Sequence, residues 1–198
     1  DVFRAWQKTV GGFLFLLLAV SAPSISAEKS KKAAPAKESR ISAFEITDGD
    51  RTFIELREAA KRNDVARTQT LAASLSNYPY DDYVAYFRIK PQLFDSAGGA
   101  RADSNADAQV TAFLNQYQGT ALADRMRNDW LLVLGKRKDW SRFDAEYPKF
   151  VLDDDTQVKC YALQSKLAQG ENPTKVGLDA RAILLDPRYF GQACQELV

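Results

Sequence analysis

The chain has 198 residues, 45% of them hydrophobic and 27% charged, with a formal net charge of +1. That balance suits one globular domain with appendages and gives no global pull toward nucleic acid or an anionic membrane. Histidine is absent, which excludes Ser-His-Asp and Cys-His catalysis and the usual zinc sites, since each needs an imidazole as base or ligand.

Residues 1–27 read as a Sec-type signal peptide. Arg4 and Lys8 form a positive n-region, "GGFLFLLLAV" is a short apolar core, and "SAPSISA" brings small residues up to a cleavage after Ala27. The competing reading is a membrane-anchoring or amphipathic helix, but the apolar run is well short of the roughly 20 residues that span a bilayer. No cysteine follows the apolar core to carry a lipid anchor. The expectation is an exported protein with no stable membrane insertion after cleavage. Residues 28–43, "EKSKKAAPAKESRISA", are rich in Lys, Ala and Ser without an apolar period, which predicts a disordered basic linker.

From residue 44 to 198 the pattern is helix after helix, with almost no strand alternation. Residues 50–62 put Phe53, Leu56 and Ala60 on one stripe, and Asn63-Asp64 ends that helix. Residues 64–75 carry Val65, Leu71, Ala72 and Leu75. After the turn "NYPYDD", residues 81–95 carry Tyr83, Phe87 and Leu93, bent or broken at Pro91. "SAGGARADSN" is the longest loop. Residues 106–118 place Val110, Phe113, Leu114 and Tyr117 at i, i+3, i+4 and i+7.

Residues 120–135 align Leu122, Met126, Trp130 and Val133, and Gly135 to Lys138 reads as the turn that follows. Asp139 is placed to cap the next helix, on which Trp140, Phe143 and Tyr147 recur before Pro148. Residues 154–169 carry Val158, Cys160, Leu163 and Leu167 and stop at Gly170; residues 174–185 carry Val176, Ala180, Ile183 and Leu184 and stop at Asp186-Pro187. About eight helices of ~12–16 residues with short turns predict an all-α fold of irregular stacked hairpins forming part of a superhelix. No strict tetratricopeptide period repeats.

Two tryptophans flank a basic run in "RNDWLLVLGKRKDWSRF". Trp130 and Trp140 with Lys136, Arg137 and Lys138 between them have the makings of a groove for an anionic or sugar polymer. Both tryptophans also fall on the apolar stripes of consecutive helices, which makes them core anchors and leaves the three cations solvated at a helix C-terminus. The run Asp153-Asp154-Asp155 gathers charge at a helix start, where it favours the dipole; calcium would need more oxygen ligands at loop spacing. No Gly-rich phosphate loop is present. Cys160 and Cys194 are 34 residues apart, and in an oxidising compartment they form either a disulfide or a pair of buried thiols. By loop-closure entropy a bridge of that span stabilises by about 3–4 kcal/mol.

The stretch "FLNQYQGTALADRMRNDWLLVLGKRKDWSRFDAEYPKF", followed by "DDDTQVKCYALQSKLAQG" and "ACQELV", resembles the N-terminal superhelical region of soluble lytic transglycosylases. These periplasmic enzymes cleave peptidoglycan glycan strands and leave a 1,6-anhydromuramyl end. The likeness is most specific over residues 113–169 and extends over 44–198. It implies that the "LADRMRNDWL" and "DWSRF…YP" helices form one hairpin of a U-shaped ring, and that Cys160 and Cys194 are disulfide partners. The family's reaction belongs to a lysozyme-like domain with a Glu-Ser motif and a Gly-Leu-Met-Gln motif. The latter is missing here, and Glu38-Ser39 lies in the linker. The resemblance therefore implies a fragment or truncated product without a catalytic residue, cofactor or metal. Its partners would be glycan strands, met through the full-length enzyme, and other cell-wall enzymes, with no nucleic acid. The competing expectation is a free-standing periplasmic helical-repeat scaffold that binds proteins.

Overall fold

The computed structural model describes residues 45–185 and 191–197. The expected signal peptide and linker, residues 1–43, lie outside the described residues, as do 186–190. The described residues are all-α: α1 (Asp48–Lys61), α2 (Val65–Ala73), α3 (Asp81–Ile89), α4 (Asp107–Gln116), α5 (Ala121–Lys136), α6 (Trp140–Glu146), α7 (Thr156–Ala168), α8 (Pro173–Leu184) and the short α9 (Gln192–Gln195).

The helix starts follow from the polar residues that precede them. Thr47, Asp64, Thr120, Asp139, Asp155 and Asn172 each accept a backbone N–H from the first turn of the helix they cap, satisfying donors that have no partner inside the helix. Several ends need a left-handed residue. Asn63 (φ 54°) closes α1, Lys138 (φ 59°) closes α5 and Gly170 (φ 86°) closes α7. Pro91 and Pro148 cannot donate a backbone hydrogen bond, and each falls in a 3₁₀ turn, Lys90–Gln92 and Tyr147–Lys149, that ends the helix before it. The break expected at Pro91 is therefore at Ile89.

From α1 to α8 each helix packs on the next, α9 packs back on α7, and α1, α3, α5 and α7 also pack on one another in that order. Successive hairpins thus share one layer made of the odd-numbered helices. Leu56, Ala59, Leu71, Ala72, Leu75 and Val84 fill a core between α1, α2 and α3. A larger core, running from Tyr86 and Ile89 through Val110, Met126, Leu131 and Phe143 to Val158, joins α3 to α7.

Being packed on two sides changes which residues face inward. On α3 the expected Tyr83 is 43% exposed, while Val84, Tyr86 and Ile89 are buried, because the helix meets α1 and α2 on one side and α4 and α5 on the other. The single stripe expected on α5 is likewise too narrow. Ten of its residues are buried, among them Asp124, Asn128 and Asp129. Gly135 is not in a turn but inside α5, where an added Cβ would clash with Cγ and Cδ atoms of the Tyr161 ring on α7. The glycine is what lets α5 and α7 come so close. Among the described residues, no helix is long and apolar enough to cross a membrane.

Candidate functional site

The basic run and its tryptophans divide once placed. Trp130 is 4% exposed and lies in the large core, and half-buried Trp140 packs against the same core, edge-on to Phe143. Both are anchors. The cations are not all solvated, which corrects that expectation. Lys138 is exposed, and Lys136 reaches across to Gln192 Oε1 at 2.7 Å. Arg137, with only 18% of its side chain exposed, forks onto Asp107 with N–O distances of 2.5 and 3.0 Å. Asp107 also accepts from Trp130 Nε1 (2.7 Å) and Arg142 (2.7 Å). Burial works to raise the Asp107 pKa, but the bonds from Arg137 and Trp130 and the charges of Arg137 and Arg142 outweigh it and hold the carboxylate below its ordinary value. The Asp107 carboxylate, with a partner on each oxygen, holds this network as a structural one, although Arg137 Nε is left buried without a partner.

The three aspartates before α7 also have structural partners. Asp155 caps α7 through Oδ1, Asp154 faces Arg125, and Asp153 accepts from Tyr147. Buried Asp124 holds the same segment from α5, its oxygens accepting from the Val151 and Leu152 amides at 2.8 and 2.9 Å. Among the described residues, no group of acidic or sulfur side chains is arranged to hold a metal ion. Cys160 on α7 and Cys194 on α9 are joined as a disulfide, with Cα atoms 5.0 Å apart. The joined segment is also held by Gln164 Nε2 donating to the Ala193 carbonyl at 2.8 Å.

The unexplained polar groups are those that α5 turns toward α3. Asp129, 4% exposed, accepts the Tyr86 hydroxyl at 2.7 Å. Lys90, just past α3, brings its Nζ within 3.4 Å of the Tyr86 oxygen and 3.8 Å of Asp129 Oδ2. The same ammonium lies 5.6 Å from the centres of the Tyr86 and Phe94 rings. Burial pushes the Asp129 carboxyl above its usual range, against the pull of Lys90 and the Tyr86 hydrogen bond. Burial, then the Asp129 charge, pushes the Tyr86 phenol up as well. Next along α5, Asn128 is 4% exposed and donates through Nδ2 to Asp155 Oδ2 at 3.2 Å. Its Oδ1 is buried without a hydrogen-bond partner.

These groups line a cleft of about 460 Å³ whose walls include Phe87, Phe94 and Leu132. A second hollow, of about 570 Å³, shares Phe94, Gly98, Leu132 and Asp155 with it and continues past Tyr161 to Gly191 and Gln192. The two run together along the layer of odd-numbered helices. Chemically the cleft offers an ammonium and a carboxyl inclined to hold a proton between apolar walls. Asp155 is tied up as a helix cap and as the acceptor for Asn128, so it does not supply the second, free carboxylate that glycoside cleavage uses.

Sequence reasoning passed over Tyr86, Lys90, Asn128 and Asp129. The one signal available was the polar pair Asn128-Asp129 set directly before Trp130 in a helix otherwise apolar toward its end.

No family model matches the chain, and no curated protein and no solved structure matches it.

Proposed function

We propose that this chain is a superhelical, non-catalytic segment of a peptidoglycan lytic transglycosylase, exported to the periplasm and contributing to how the full enzyme meets glycan strands. The observation that carries the reading is the α5–α6 hairpin. The "LADRMRNDWL" and "DWSRF" segments that bear the resemblance pack on each other as consecutive helices. The ordered stack of hairpins and the Cys160–Cys194 pair are also what the resemblance implies.

Co-sedimentation of the purified chain with murein sacculi tests the reading, alongside an assay for released anhydromuropeptides. Binding without release is the expected result. Chains that stay in the supernatant, or turnover that disappears on replacing one carboxylate, would count against it. Reading the coding DNA past Val198 adds an independent check, because an open frame encoding Glu-Ser and Gly-Leu-Met-Gln would supply the catalytic domain.

A further inference from the structure

We propose that Lys90 and Asp129 form a pH-operated strap across the mouth of the cleft between α3 and α5, drawn shut when the Asp129 carboxyl is ionised and released when it takes up a proton. The three groups involved lie at graded depth. Tyr86 and the Asp129 side chain are each 6% exposed, whereas the Lys90 side chain is 34% exposed and so stands at the border with solvent. All three line the cleft.

The two links to Asp129 differ in kind. Tyr86 donates its hydroxyl to Asp129 Oδ2 at 2.7 Å. A phenol makes that bond to either form of a carboxyl, because a protonated one keeps a carbonyl oxygen as acceptor. Tyr86 therefore joins α3 to α5 in both states. Lys90 Nζ stops 3.8 Å from the same oxygen, too far for a hydrogen bond, so its attraction is between charges alone and vanishes when Asp129 is neutral. What then holds the ammonium is a long 3.4 Å contact with the Tyr86 oxygen and two rings 5.6 Å away. Water at the cleft mouth competes with both. Lys90 also heads the loop that carries Phe94 and Gly98, which line both hollows, so releasing it loosens their shared wall.

The other charges around Asp129 are held by partners of their own. Asp155, which caps α7, resists ionisation of Asp129, while Arg125, one turn back on α5, favours it and is engaged with Asp154. Lys61 at the end of α1 lines the same cleft and is paired with Glu58. The acidic groups that α4 and α6 bring to α5, Asp107 and Glu146, are engaged by Arg137 and Arg127. Burial is the largest influence on the Asp129 carboxyl and raises the pH at which it ionises. The strap is therefore open below that step and closed above it, at a higher pH than an exposed aspartate would set. It is independent of the transglycosylase reading, since no glycan enters its test.

An NMR titration of the full chain from about pH 4 to pH 8 tests the strap, following the Asp129 carboxyl carbon and the Lys90 Cε and Hε signals, the latter assigned by their absence from Lys90→Gln. The Lys90 signals and the Phe94 and Gly98 amides should move in one step that shares its midpoint with the Asp129 carboxyl. That step should be lost from Lys90 in Asp129→Asn. In Lys90→Gln the Asp129 midpoint should rise, because the cation that favours its ionisation is gone. Should Asp129→Asn fail to fold, Lys90→Gln decides, since it changes a partly exposed side chain. Four results would each overturn the proposal: Lys90 signals that stay flat while Asp129 titrates, a Lys90 step that survives in Asp129→Asn, an Asp129 midpoint unmoved by Lys90→Gln, or a carboxyl that holds one state over the whole range.

Discussion

Replacing Asp107 with alanine removes the acceptor at the first position of α4 on which three side chains converge. Trp130 Nε1, 2.7 Å away, loses its partner inside the core, a loss of about 1–2 kcal/mol. Arg137, 18% exposed, loses both arms of its fork. Stranding a fully buried charge costs about 3–5 kcal/mol, and about half of that applies to a side chain that still touches water. The lost carboxylate at a helix N-terminus adds about 0.5 kcal/mol.

Because the three losses share one site and do not simply add, about 3–4 kcal/mol is expected. That is a fall in Tm of roughly 10 °C for a domain of this size. Urea denaturation followed by circular dichroism reads it directly. Arg142→Ala, which removes the most exposed arm, should cost under ~1 kcal/mol. Arg137→Ser should cost about 2 kcal/mol while Lys138→Ser is nearly silent. The pH dependence has a definite sign. Since the folded Asp107 pKa is lowered, its stabilisation is complete above the unfolded value and is lost as pH falls through the folded one. An Asp107→Ala protein within about 1 kcal/mol of the parent would refute a structural role for this network.

Asp129 should behave in the opposite sense. Its folded pKa is raised by burial, so the folded state binds the extra proton and ionisation weakens the fold as pH rises above the ordinary carboxyl value. The stability of Asp129→Asn relative to the parent should therefore improve from pH 4 upward; a flat difference across urea melts at several pH values contradicts this. Gly135→Ala should destabilise by about 1–3 kcal/mol even though alanine favours helices, because the new methyl meets the base of the Tyr161 ring, which cannot swing aside without leaving its rotamer. A melt showing Gly135→Ala equal to or more stable than the parent would show that α5 and α7 separate easily. Reducing the Cys160–Cys194 bridge should lower Tm and speed amide exchange first in 191–197. The oxidised protein should give the two cysteine peptides linked in a non-reduced digest, and finding both as free thiols would remove the bridge from the account.

The sequence by itself determined the all-α class, because the helical apolar period over 44–185 depends only on local spacing. It also marked several helix ends. Asn63, Asp139 and Gly170 act through their own backbone and the nearest turn, and Pro91 and Pro148 act through a missing N–H, so no distant partner is needed to read them. Trp130 was legible as a core anchor for the same reason. The joining of Cys160 to Cys194 was one of two open readings until the resemblance favoured it. The tertiary structure alone decided what α5 does on its remaining faces. A periodic stripe describes a helix packed on one side, whereas α5 is surrounded by α3, α4, α6 and α7, so Asp124, Asn128 and Asp129 are buried where the pattern left them facing water. Arg137 was misjudged on similar grounds, since its partner Asp107 is 30 residues away in the chain. Gly135 looked like a turn residue because glycine's local meaning is a turn, and only the approach of Tyr161 reveals it as a packing residue. The cleft is a product of the same non-local pairing, with Tyr86, Lys90, Asn128 and Asp129 brought together from α3 and α5 by the order in which the hairpins stack.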